Sequence, residues 1–387
     1  MLENIAVKNF KCFKELYLEM SNLNVFAGIN NMGKSTIIQA LLLLRQSYEM
    51  SSISKGLHLN GNITSIGTGY DLLHRNSEED GFEISVQCNE EIYKWRYKYN
   101  RDSDFQELIV SNVTSEKCNN VNIFYPTFAY VSAERIGPQR IYKKSYHEVV
   151  EKNQVGYRGE LFADYVAERG LTDKVENKAV IHESTKNEFL IYQTQAWLSE
   201  ISPGIHINTR GYTEAGLVSV EYGISDNGFN PINVGFGLSY VAPIIVSLLK
   251  AKRGDLIILE NPEAHLHPRG QRMMGELIAR ACSGGVQVIV ETHSDHLLNG
   301  IRLAVKKNLI NRTQIRLNYF YQEMEIKELT YTKIKDLGDS KTEELIHTKT
   351  QELVHKKCSP MILDDGSLSD WPDGFFDEWE KAIDELF

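Results

Sequence analysis

"LNVFAGINNMGKSTIIQALLLL", residues 23–44, decides the fold. Its first six residues read as a short strand that runs into a glycine-rich turn. "KSTIIQALLLLRQSYEM", from residue 34, has the length and apolar density of a helix. The turn between them, "GINNMGKST" (28–36), fits G-x-x-x-x-G-K-[ST] in the strand–turn–helix setting that the pattern requires. Its glycines let backbone N–H groups turn inward around phosphate oxygens, and the helix N-terminus adds favourable partial charge. Gly28, Asn30, Asn31, Gly33, Lys34, Ser35 and Thr36 are therefore the candidate nucleotide-binding residues. Lys34 is expected at the β- and γ-phosphates and Ser35 on Mg²⁺. A chance match in a plain turn would not carry both flanks.

Three later stretches complete the chemistry. "LIILENPEAHLHP" (256–268) reads as a buried strand that delivers Glu260 to a metal, as the second acidic motif of P-loop enzymes does. On its own, Glu260 would pass for an ordinary strand-end glutamate. Asn261 follows it, where many such ATPases place a second carboxylate. An amide orients water but cannot take its proton, so slow turnover is expected. Glu263 is a substitute base only if the turn at Pro262 swings it inward. "VIVETHSDH" (288–296) brings His293 to the carboxyl edge of the same sheet, within reach of a γ-phosphate or the attacking water. Ser294 or Asp295 there also suits a helix cap. "NVGFGLSYVAP" (233–243) is a glycine-rich turn that opens an apolar helix, a pattern plain packing also explains.

Composition limits the alternatives. The 387 residues are 42% hydrophobic and 24% charged, ordinary for a globular chain with a sizeable core. The longest apolar runs fall far short of the roughly 20 residues a membrane span needs. The N-terminus lacks a signal-peptide layout, so a cytoplasmic location is expected. Five scattered cysteines form no CxxC pair, which fits free thiols. "HLH" and "HSDH" lack the partners of a tetrahedral metal site. The net charge is −10, but residues 360–387 supply −8 of it. An acidic total therefore does not exclude a basic face for DNA elsewhere.

Strand-like runs alternate with helical ones, which predicts an α/β fold. A β-rich part is expected at about 82–132 and a helical insertion at about 140–200. No repeat and no coiled-coil heptads are visible. A boundary near residue 325 would divide a head, 1–325, from a short acidic C-terminal domain, 326–387.

Taken in order, "NFKCFKE…GINNMGKST…NVGFGLSYVAPII…LIILENPEAHLHP…VIVETHSDHLLNGIR" resembles bacterial RecF/SMC-like AAA ATPases with ABC-type heads, the ATPase part of overcoming-lysogenization-defect (OLD) nucleases among them. "YVSAERIGP" (130–138) and the ending "DGSLSDWPDGFFDEWEKAIDEL" resemble a narrower group of bacterial ATPases closed by a short C-terminal domain of unknown function. The resemblance implies a P-loop head with a mixed central sheet, an antiparallel β subdomain and a helical insertion. It implies ATP and Mg²⁺ bound between two copies of the chain in a homodimer or higher oligomer. By position, the signature that meets the opposite copy's γ-phosphate would be Asn233, Gly235, Gly237 and Ser239. Asp71 falls near a Q-loop-like position, and Glu134 and Arg135 equally suit a buried ion pair. Relatives act in DNA transactions and anti-phage defence, often beside a separate effector such as a nuclease or toxin. The expected function is thus a nucleotide-dependent dimerisation switch. The alternatives are a non-hydrolysing ATP-bound scaffold, an OLD-type nuclease and a transporter ATPase. About 60 residues after 325 leave little room for a nuclease domain.

Overall fold

The computed structural model describes residues 1–224, 227–337, 340–377 and 383–386. Strands β1 (Leu2–Phe10), β2 (Phe13–Glu19) and β3 (Leu23–Gly28) lead into helix α1 (Lys34–Glu49). Then come β4 (Gly56–His58), β5 (Gly81–Cys88), β6 (Glu91–Lys98), β7 (Phe105–Ser111), the short α2 (Ser115–Cys118) and β8 (Ala129–Val131). The middle of the chain holds β9 (Ile141–Lys143), α3 (Phe162–Arg169), α4 (Leu190–Ile201), β10 (Ile205–Tyr212), β11 (Leu217–Ile224) and β12 (Asn227–Phe229). The last part runs α5 (Phe236–Lys250), β13 (Leu256–Glu260), α6 (Pro268–Ser283), β14 (Gln287–Glu291), α7 (Asp295–Lys306), β15 (Ile315–Leu337) and β16 (Ser340–Cys358).

The site is positioned by a six-stranded sheet of order β16-β15-β3-β14-β13-β8. Strands β15, β3, β14, β13 and β8 run parallel, and β16 pairs antiparallel with β15. Parallel strands are covered on both faces, so their apolar residues divide between two cores. Ile257 and Leu259 of β13 enter one core with α5, α6 and α7; Leu256 and Ile258 enter the other with α1. Val288 and Val290 of β14 separate from Ile289 in the same way. That alternation is the period-2 pattern of the apolar runs seen from both sides.

Over the second core lies an antiparallel sheet, β2-β1-β5-β6-β7-β4. A smaller sheet of β9, β10, β11 and β12 joins the first core beside α3 and α4. The expected β-rich part thus feeds two different sheets, since β5 to β7 join β1 whereas β8 flanks β13. Residue 325 falls inside β15, which runs unbroken from the central sheet to Leu337. Among the described residues the longest helices span 16 residues, and none is long and apolar enough to cross a membrane. Glu378 and Glu380 of the acidic tail lie outside the described residues.

Candidate functional site

Parallel strands put their carboxyl ends on one edge of a sheet, and here that edge carries the motifs. Gly28 ends β3, Glu291 ends β14 and Glu260 ends β13. Glu260 and Glu291 are direct partners in the β13–β14 register, and Glu291 in turn faces Phe26 of β3. β14 therefore stands between the P-loop strand and the strand of Glu260.

The loop after β3 is tightly cradled. Gly28 has φ 139°, and a Cβ there would collide with the Phe320 carbonyl oxygen of β15. Gly33 has φ 98°, and its Cβ would stand 2.5 Å from the Phe13 ring. Asn31, at φ 67°, completes the left-handed turn. No side chain caps the N-terminus of α1, so its first-turn N–H groups suit an anion. Lys34 is buried and curls back, its Nζ donating to the carbonyls of Gly28 at 2.7 Å and Ile29 at 2.8 Å. Burial depresses the Lys34 pKa, and the Glu291 carboxylate partly restores it. A glycine cradle, a sequestered ammonium and unclaimed helix N–H groups fit ATP phosphates; Thr36 is buried beside them, while Asn30 lines the neighbouring cavity.

Ser35 points to a residue that the motif reading had passed over. Its hydroxyl donates to both carboxylate oxygens of Glu291, each at 3.1 Å. Burial, then the charge of Glu260, pushes the Glu291 carboxyl up to about 7. Glu260 itself is engaged on its other side, its Oε2 accepting from the Tyr130 hydroxyl at 3.1 Å and the Ala133 amide at 3.0 Å. Burial raises its pKa, and those two donors pull it back. The signal for Glu291 was present in "VIVE", which ends in an acid just as "LIILE" does.

The turn after β13 is held from several directions. Asn261 has φ 45°, donates its amide to the Glu291 carbonyl at 2.9 Å, and buries a side-chain Oδ1 that has no hydrogen-bond partner. Glu263 does swing inward. It is 9% exposed, and its Oε1 accepts from the His293 amide at 2.8 Å, which ties the two motif turns together. Burial raises its pKa, while hydrogen bonds, that of the Thr292 side chain among them, pull it back. His293 stays exposed at the edge of the site, its pKa held down by partial desolvation and then by the Lys34 charge. Ser294 caps α7 through the Leu297 amide at 3.0 Å.

Arg135 corrects one expectation. It does not pair with Glu134, which is exposed and bridges Arg158 instead. Arg135 is buried and donates to the carbonyls of Ser132, Glu260 and Asn261 at 3.0, 2.8 and 2.7 Å. It clamps the backbone of the acidic turn to the segment after β8.

The signature candidates separate by depth. Asn233 and Gly235 are exposed just before α5, and Gly237 packs against the His265 carbonyl. Ser239 is only 1% exposed, so its hydroxyl faces the core rather than a second copy of the chain. Phe236 and Tyr240 pack on His265 with ring centroids 5.9 and 4.6 Å away, which joins this loop to the turn that carries Glu260. Asp71 lies exposed in the short 3-10 turn Gly69–Asp71.

A cavity of about 450 Å³ adjoins the P-loop, lined by Gly28, Ile29, Asn30, His293, Asp295 and Tyr319 on one side. Gly374, Phe375 and Phe376 of the C-terminal segment form the other wall. Phe375 is buried against Tyr319, and the Tyr319 hydroxyl donates to the Asp373 carbonyl at 3.1 Å.

A phosphate-cradling loop on β3, with acids at the ends of β14 beside it and of β13 beyond, is the arrangement of a P-loop nucleotide-binding fold. Residues 1–298 match the model described as "AAA ATPase domain", and the chain belongs to that family. Residues 347–386 match a second model, "Protein of unknown function (DUF3696)". An uncharacterized protein of Methanocaldococcus jannaschii is 32% identical over 123 residues, 30% of this chain. The match spans 55% of that relative's length. Among solved structures, an SMC head domain with an extended coiled coil, bound to the C-terminal domain of ScpA and derived from Pyrococcus furiosus, superposes with a TM-score of 0.51. It is 13% identical and covers 100% of this chain and 99% of its own, so the shared feature is the fold. The SMC head domain from Thermotoga maritima is 12% identical at a TM-score of 0.41, with 83% and 94% covered. The head fold is present here, and the described residues contain no long coiled coil.

Proposed function

We propose that this chain binds ATP with Mg²⁺ at the P-loop and uses it to close two copies head to head, with slow hydrolysis reopening them. The reading is carried by one arrangement: Lys34 and Ser35 at the mouth of α1, with Glu260 and Glu291 in register on the two adjacent strands. Gly28, Gly33, Lys34, Ser35 and Thr36 would hold the phosphates, and Ser35 with a carboxylate would hold the metal. Mg²⁺, when bound, supplies charge neutralisation on the phosphate oxygens. The chain's own part is to fix those oxygens, keep water oriented and exclude the rest of the solvent.

Slow turnover is supported by Asn261. Its side chain orients water without accepting a proton, and Glu263, the nearest substitute base, is committed to the His293 amide on one oxygen. Dimer closure is supported by apolar side chains left in the open: Ile29 in the P-loop and Ile232 and Phe236 at the signature loop are 61%, 45% and 57% exposed. Exposed apolar side chains on the two segments that closure would bring together suit a contact surface. Asn233, Gly235 and Gly237 are then the segment offered to the other copy's nucleotide. The defence setting, the separate effector and DNA as a ligand belong to this proposal through the motif resemblance alone.

The test is equilibrium binding of a fluorescent ATP analogue, steady-state hydrolysis, and sedimentation with and without a non-hydrolysable analogue. Wild type is expected to bind, to hydrolyse slowly and to dimerise with the analogue, and Lys34→Ala to lose all three. Trace turnover that is equal in wild type and Lys34→Ala would favour the non-hydrolysing scaffold. An unchanged mass in the presence of the analogue would remove the switch.

A further inference from the structure

We infer that Tyr130 is a positioning residue for the metal site: with the Ala133 amide, its hydroxyl locks the Glu260 carboxylate by one oxygen and leaves the other to the shell of Mg²⁺. The inference rests on the ATP-binding reading above. It gives a task to "YVSAERIGP" (130–138), a motif that reading does not use.

Strand pairing brings the two side chains together. Tyr130 lies in β8 directly opposite Ile258 of β13. Successive side chains of a strand alternate between faces, so Glu260, two residues beyond Ile258, projects from the same face. That face is the one covered by α1, since Ile258 and Tyr130 both belong to the core that contains the apolar side of this helix. Diagonal neighbours on adjacent strands are within reach of a long aromatic side chain. The Tyr130 hydroxyl accordingly donates to Glu260 Oε2 at 3.1 Å, while its ring stays buried beside Tyr157.

The donors are distributed unevenly. A carboxylate offers about four acceptor positions on two oxygens. Here the phenol and the Ala133 amide, at 3.0 Å, converge on Oε2, and no other donor among the described residues reaches this carboxylate. Two donors on one oxygen fix the rotation of the group and leave Oε1 for a cation. Glu260 is in register with Glu291, which accepts from Ser35, so the acid and the expected metal-binding hydroxyl share one edge of the sheet. The main chain is held from the same side. Arg135 donates to the carbonyls of Glu260 and Asn261, and the Ser132 amide donates to the Tyr157 carbonyl at 2.9 Å. One segment after β8 thus fixes both the backbone and the side chain of the acid. Groups that orient a metal ligand in this way set its affinity, and losing one costs about 10- to 100-fold.

A second tyrosine supplies the contrast. Tyr157 also donates to a carboxylate, that of Glu49 at 2.8 Å, but Glu49 stands at the far end of α1. At 1.5 Å per residue that is roughly 20 Å from Ser35. A hydroxyl that only satisfies an acid can therefore be compared with one that orients a metal ligand.

The experiment titrates Mn²⁺, as a spectroscopic stand-in for Mg²⁺, into the full chain with a non-hydrolysable ATP analogue. Electron paramagnetic resonance reads the Mn²⁺ bound beyond that held by the analogue alone. Fluorescent-analogue affinity in EDTA and thermal melting are measured in parallel. Tyr130→Phe, which removes only the hydroxyl, is expected to weaken Mn²⁺ by about 10-fold and to leave the metal-free nucleotide affinity unchanged. Glu260→Gln should weaken it further. The double variant should be no weaker than Glu260→Gln alone, because the phenol acts only through the carboxylate. Tyr157→Phe should melt lower and hold Mn²⁺ at the wild-type level. Wild-type Mn²⁺ affinity in Tyr130→Phe overturns the assignment, and so do additive losses in the double variant. Equal losses in Tyr130→Phe and Tyr157→Phe also overturn it, since the effect would then be one of folding. Wild-type protein that binds no nucleotide at all would instead sink the ATP-binding reading itself.

Discussion

Glu263 shows how much a single side chain here is asked to hold. Its carboxylate links the turn after β13 to the His293 amide and the Thr292 side chain. Burial raises its pKa in the folded chain above the unfolded value. A raised acid stabilises fully below its unfolded pKa, and that contribution is lost as pH rises through the folded one. Glu263→Gln keeps an acceptor for the His293 amide and removes the charge. It should therefore melt higher than wild type at pH 7, with the gap closing as pH falls toward the ordinary carboxylate range. A gap that widens on acidification would show the ionised form to be the favoured one. Legibility in the sequence follows the same divide between pattern and partner. Lys34 and Ser35 were legible as candidates because the spacing of a phosphate loop and its strand and helix flanks are all written in the sequence. Glu291 was not, because a lone acid after three apolar residues is also how an ordinary strand ends. Only the register beside β3 gives it Ser35.

At the scale of elements, α5 and the turn carrying Glu260 behave as one part. Gly237 lies in the first turn of α5, where alanine would normally stabilise a helix by about 1 kcal/mol. A Cβ at this position would stand 2.7 Å from the His265 carbonyl oxygen, a backbone atom that cannot rotate away. Gly237→Ala should instead destabilise by about 1–3 kcal/mol, the range for overpacking, measured by chemical denaturation. A gain in stability would show that α5 slides freely over the turn. The same paired elements explain what the sequence could and could not disclose. Strands β3, β13 and β14 stood out because burial on both faces makes them continuous apolar runs. β10 and β16 did not, since "IHINTRGY" and "KTQELVHKK" are polar pieces whose strand character depends on the neighbour they pair with. Glu134 and Arg135 were adjacent in sequence and suggested a pair, whereas Glu134 turns out to Arg158 and Arg135 turns in to the carbonyls of Glu260 and Asn261.

For the whole molecule, the C-terminal segment is wired to the P-loop through the central sheet. Phe375 packs on Tyr319 of β15, and β15 runs beside β3 in a register that sets Phe320 against Gly28. The tight approach of Gly28 to the Phe320 carbonyl means that a displacement of β15 cannot leave the P-loop where it was. The segment also walls the cavity next to Asn30 and His293. Phe375→Ala should then do two things at once. Removing a buried phenylalanine costs about 3–5 kcal/mol, read as a lowered unfolding midpoint. Within the temperature range where the variant stays folded, its ATP affinity should also drop, because the wall and the strand behind the loop both loosen. Arg302→Ala provides the comparison. It removes the guanidinium that donates to the Gly366 carbonyl and stacks on Trp371, contacts made by the tail on α7 one ring further from β15, with Phe375 between Trp371 and Tyr319. That variant should lose stability without losing ATP affinity. Equal losses of affinity in both would mean that the tail acts only by holding the fold together. A loss confined to Phe375→Ala would establish that the C-terminal segment and the nucleotide are sensed through one strand.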